Sequence, residues 1–121
     1  MVRWLVIGVI IVFSFVSIAQ AELTVKDYKD LKAQDSRTVT IYISGIGTGI
    51  GWYNSELQVR GKSLLYCPPP KLNLNAHNLV RILDDEIERA ENKMGFQKTQ
   101  DALVGMLLLD GLIRTFPCNE K

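Results

Sequence analysis

The chain has two cysteines, Cys67 and Cys118, and they frame its C-terminal half. One sits in Tyr66-Cys67-Pro68-Pro69-Pro70, the other in Thr115-Phe116-Pro117-Cys118. Between them lie two stretches of helical pattern. An even cysteine count behind an export leader predicts a disulfide rather than two separate free thiols. Such a bond would close a loop of about fifty residues around a helical hairpin. In the chain-entropy model that closure contributes about 4 kcal/mol, a large share of the roughly 5–15 kcal/mol that holds a small domain together.

The leader is residues 1–21. Arg3 gives it a positive start, Trp4 to Val16 is almost unbroken apolar sequence, and Ala19-Gln20-Ala21 is a small-x-small cleavage pattern. An uncleaved membrane anchor is the alternative, but it needs roughly twenty apolar residues. Cleavage is expected after Ala21, and no lipobox cysteine follows. The expected localisation is therefore periplasmic, with no membrane attachment once the leader is gone. Residues 22–121 then form a single domain.

Charge narrows the partners. Without Arg3 the basic and acidic side chains number thirteen each. A near-neutral domain lacks the clustered basic excess of a nucleic-acid binder, and it has no electrostatic hold on anionic lipid.

The first helix is expected over Glu22 to Lys32, capped by Thr24, with Asp27 three residues on in weak capping-box spacing. Thr38 to Val59 is ambiguous. Its β-branched opening, Thr38-Val-Thr-Ile-Tyr-Ile43, favours strand. Yet Val39, Tyr42, Ile43, Ile46, Ile50, Tyr53 and Leu57 recur at helical steps. Gly45, Gly47, Gly49 and Gly51 each weaken a helix by about 1 kcal/mol relative to Ala, but they also admit a close neighbour. A buried, glycine-lined helix is the preferred reading, with strands as the alternative, and Trp52 and Tyr53 are assigned to the core. Gly61-Lys62-Ser63 matches only the tail of a phosphate-binding loop, because Glu56 occupies the place of its first glycine.

Pro68-Pro69-Pro70 is a stiff spacer. Asn75 to Met94 is the clearest helix, N-capped by Asn73 or Asn75. Its apolar stripe is Leu79, Ile82, Leu83, Ile87, Ala90 and Met94. Gly95-Phe96 reads as a glycine stop followed by an apolar residue folded back on the last turn. Thr99 is expected to cap a final buried helix, Gln100 to about Thr115, ended by Pro117. The fold class is all-α, a small bundle of about four helices tied by one disulfide.

No catalytic constellation emerges. His77 is the one histidine, and zinc needs more ligands than that. Asp84 and Glu88 share a helix face but are expected to point into water. No cofactor, metal or enzymatic activity is expected.

Four stretches together resemble a known family: Tyr42-Ile43-x-Gly45; Leu65-Tyr66-Cys67-Pro68-Pro69; the capped helix from Asn75 to Glu91; and Ala102-Leu103-Val104 leading to Leu112-Ile113-Arg114-Thr115-Phe116-Pro117-Cys118. Over Val39 to Cys118 the chain is similar to the Rap/Tai immunity proteins, periplasmic inhibitors of the peptidoglycan amidases delivered by type VI secretion. The resemblance implies a small disulfide-bonded helical domain, usually a homodimer, that binds a cognate amidase toxin and occludes its active site. Many relatives have a further cysteine near the start of the Tyr-Ile-x-Gly helix; here Val39 and its neighbours supply none. A neutral surface suits recognition by shape. The candidate contact residues are Pro70, Lys71, Asn73 and Asn75 in the proline-stiffened loop, and Phe96, Gln97 and Lys98 in the loop joining the last two helices. The alternative is a periplasmic structural or chaperone-like binding protein with no cognate toxin.

Overall fold

A computed structural model describes residues 22–119. The expected leader, with its cleavage point after Ala21, lies outside the described residues. Five helices follow one another: α1 (Val25–Gln34), α2 (Ser36–Val59), α3 (Ala76–Met94), α4 (Phe96–Gln100) and α5 (Val104–Thr115). The fold is an all-α bundle tied by the Cys67–Cys118 disulfide.

The first three helices each start at a side-chain cap. Thr24 Oγ1 accepts from the Asp27 amide and the Asp27 carboxylate accepts from the Thr24 amide, a complete capping box. Asp35 caps α2 through the Thr38 amide, and Asn75 caps α3 through the Asn78 amide. The first helix begins at Val25 rather than Glu22, because residues 23–25 are otherwise engaged. The Val25 amide donates to Ala102 O and the Val104 amide donates to Leu23 O, a short antiparallel clip between the chain start and the lead into α5. Glu22 completes the clip: its carboxylate accepts from the Gly105 amide in the first turn of α5. That helix has no side-chain cap of its own, and an acidic group suits its positive end.

The ambiguous stretch is one 24-residue helix. Burial at a helical period outweighs the β-branched opening, because Val39, Ile43 and Gly47 all face the core. The core combines these with Val25 and Tyr28 of α1, Leu79, Leu83 and Ile87 of α3, and Val104, Leu108 and Leu112 of α5. The hairpin enclosed by the disulfide is formed by α3 packed on α5.

Several expectations are corrected. Trp52 and Tyr53 are not core residues: they are 74% and 58% exposed. Met94 is also exposed, at the end of its helix. Thr99 does not cap the last helix. It is fully buried inside the short α4, its hydroxyl bonded to Gly95 O. The last helix starts at Val104 because residues 102–104 are held straight by the clip to residues 23–25. Gly95 does end α3, at φ +92°, a conformation that favours glycine. The segment after it is helix rather than open loop, and Phe96 is exposed with the Lys29 ammonium 4.9 Å from its ring centre.

Candidate functional site

The most distinctive local structure lies where residues 64–74 cross α2. Asn54 is buried on the inner face of α2 and spends its whole side chain on this crossing. Its Nδ2 donates to Tyr66 O at 2.9 Å, and its Oδ1 accepts from the Leu65 amide at 2.8 Å. The Asn54 side chain thus satisfies the Leu65 N–H and the Tyr66 carbonyl of an extended segment that has no strand partner among the described residues. The Cys67 amide donates to Phe116 O at 2.8 Å, and the disulfide joins the same two segments. The strap is therefore anchored to α2 by Asn54 and to the end of α5 by Cys67.

Beyond the disulfide the chain turns sharply. The Leu72 amide donates to Pro69 O, which places Pro70 and Lys71 at the corners of a four-residue turn, and proline presets the first corner. Pro70, Lys71, Asn73 and Asn75 are all exposed. The Asn75 side chain is committed to capping α3, and Asn73 O accepts from Asn78 Nδ2. Pro70, Lys71 and Asn73 are the members of this group whose exposed side chains are not used in capping.

Phe96, Gln97 and Lys98 are exposed too, on α4. They lie at the other end of α3 from Asn75. A 19-residue helix is about 28 Å long, so the two candidate groups cannot form one patch.

Between α2 and the strap runs a groove of about 580 Å³. Gly47, Thr48, Gly51, Trp52, Ser55 and Gln58 line it from α2, Leu64, Tyr66 and Pro68 from the strap, and Leu74 and Leu79 complete the lining. Tyr66 is 4% exposed, and burial pushes its phenol above the usual value. Trp52 stands at the rim. A second depression, of about 410 Å³, lies between α1 and α3. It is occupied by a paired network: the Tyr28 hydroxyl donates to Asp84 at 2.7 Å, Lys32 pairs with Asp84 and Lys29 pairs with Glu91. Burial, then the Asp84 bond, pushes the Tyr28 phenol far above its usual value. The Asp84–Glu88 pair suggested by spacing is thus divided: Asp84 serves this network while Glu88 is exposed.

A charged cluster that spacing did not single out joins α3 to α5. Glu86 is 5% exposed and accepts from both Arg89 and Arg114, at 3.0–3.3 Å. Burial alone would raise its carboxyl, but the two guanidinium groups outweigh that and hold it below the usual range. The readable signal was a lone acid between Leu83 and Ile87 on an apolar stripe. Asn54 gave the same signal, four residues past Ile50 on the inner side of α2.

Among the described residues no group of three potential ligands could hold a metal ion, and no helix is long and apolar enough to cross a membrane. No family model matches the chain, nor does any curated protein or solved structure.

Proposed function

We propose that the protein is a periplasmic immunity protein that binds and inhibits a peptidoglycan amidase effector of type VI secretion, acting as a homodimer. The resemblance over Val39 to Cys118 supplies the function. The observation that carries it is the exposed Pro69–Leu72 turn, held by the disulfide on one side and by the Asn75 cap on the other. An inhibitor gains affinity when its contact surface is ordered before binding, because less conformational entropy is lost on association. The turn meets that requirement: it is stiffened by proline and flanked by two anchors within eight residues. The near-neutral charge agrees with selection of one partner by shape.

The test is protection in cells. Cells carrying a periplasm-directed amidase encoded beside this gene should survive when the full chain is co-expressed. A variant lacking residues 1–21 should not protect, since an inhibitor held in the cytoplasm cannot meet its target. Equal protection by both forms, or by neither, contradicts the proposal.

A further inference from the structure

We propose that the groove between α2 and the 64–70 strap is a binding site for an extended, uncharged peptide segment of another protein. The segment would lay an apolar side chain on Leu74 and Leu79 and offer a backbone carbonyl to the Tyr66 hydroxyl. This does not rest on the amidase reading and can be tested without any toxin.

The first observation is an unfilled hydrogen bond. Tyr66 is 96% buried by residue area, yet its hydroxyl has no hydrogen-bond partner among the described residues. No fully sealed side-chain nitrogen or oxygen lacks a partner, so this hydroxyl must open onto the groove it lines. A Cβ on Gly51 would stand 3.6 Å from it, which places the hydroxyl beside the α2 wall of the groove. A donor on a largely buried ring, reachable from one side, is placed for an acceptor carried by a ligand.

The second observation is charge. Among the described residues, none that lines the groove is an acid, a lysine, an arginine or a histidine. A charged ligand group would lose water there and gain no counter-charge, so the complementary occupant is neutral.

The third is the rim. Trp52, 74% exposed, offers a flat indole face and an N–H donor, with Pro68 and Pro70 across from it. Grooves built from aromatic and proline surfaces with a few neutral hydrogen-bonding groups accept extended and polyproline chains, whose carbonyls project outward. The apolar part of the lining favours a peptide over a sugar. Leu74, Leu79 and Pro68 would strip water from sugar hydroxyls without replacing their hydrogen bonds.

The protein carries its own reporter. With Trp4→Phe, Trp52 is the sole tryptophan. The probe is a set of acetylated, amidated peptides of pattern Pro-x-x-Pro, with x leucine or alanine, titrated to millimolar concentration. We expect a saturable change in Trp52 emission, and amide shifts confined to residues 47–58 and 64–74. Tyr66→Phe should weaken binding roughly three- to tenfold without lowering the melting temperature, since the hydroxyl has no internal partner to lose. Trp52→Ala should weaken it at least as much, with the fold unchanged because the ring is exposed. A glutamate in place of leucine should abolish binding. The proposal is overturned if no peptide in the set gives a saturable change, if Tyr66→Phe binds as well as the parent, or if diacetylchitobiose binds in the groove and the peptides do not.

Discussion

Gly47 and Gly49 lie in the same helix and differ in what stands over them. A Cβ on Gly47 would come within 2.9 Å of Leu79 Cδ2 and 3.2 Å of its Cγ, with Cδ1 closer still. Leu79 is itself 4% exposed, so its whole isobutyl group would have to move within the core. A Cβ on Gly49 would meet nothing within 4 Å. Alanine in place of a mid-helix glycine stabilises by about 1 kcal/mol through backbone entropy. Gly49→Ala should show that gain. At position 47 the same gain is opposed by an overpacking cost of about 1–3 kcal/mol. Gly47→Ala should therefore fall about 1–3 kcal/mol below Gly49→Ala. Urea unfolding followed by far-ultraviolet circular dichroism resolves this: a gap of about 2 kcal/mol separates the midpoints by roughly 1 M at ordinary slopes. Leu79→Ala made in the Gly47→Ala background should cost less than Leu79→Ala alone, because it relieves the clash. Equal midpoints for Gly47→Ala and Gly49→Ala, or strict additivity with Leu79→Ala, would refute the close approach of α2 and α3.

Two further outcomes follow from the same packing. Cys67→Ser, Cys118→Ser and the double variant should each lose about 4 kcal/mol, the closure entropy of a 51-residue separation, measured by urea unfolding without reductant; unequal losses among the three would mean that something other than the shared loop is lost. Stability should also fall in acid. Glu86 sits below its ordinary carboxyl value of 4.5, so the unfolded chain takes up the proton first. Its contribution is complete above about 4.5 and disappears as pH falls through the lower folded value. Asp35, lowered by its hydrogen bonds to Thr38, acts in the same window. Glu86→Gln should flatten the fall in melting temperature between about pH 5 and pH 3, and an unchanged slope would show that Glu86 is not held ionised by Arg89 and Arg114.

What could be read from the sequence was local. The Thr24–Asp27 capping box, the Asn75 cap, the stripe from Leu79 to Ala90 and the cysteine pair all depend on neighbours in the chain or on compartment. The helical period of α2 was legible because Val39, Tyr42, Ile43, Ile46 and Ile50 recur at helical steps in spite of β-branched propensity. What escaped depends on contacts distant in sequence. The start of α5 is set by residues 23–25, some eighty positions away, so Thr99 resembled a cap when it is a buried member of α4. Trp52 and Tyr53 fit an apolar register, but only one side of α2 is covered there. Of the candidate contact residues, Pro70 and Lys71 form an exposed turn, Asn75 is spent as a cap, and Phe96 to Lys98 stand at the far end of α3. Asn54, Tyr66 and Glu86 were not foreseen, since the role of each is defined by a partner at least eleven residues away or, for Tyr66, by the lack of one.

The proposed inhibition of a cell-wall amidase can be measured with purified components. Release of peptide from peptidoglycan by the proposed cognate amidase should be blocked stoichiometrically by the oxidised protein. Lys71→Glu should weaken the block while leaving the melting temperature unchanged, because that side chain is exposed. Full amidase activity in the presence of excess oxidised protein, with no complex on gel filtration, would contradict the account.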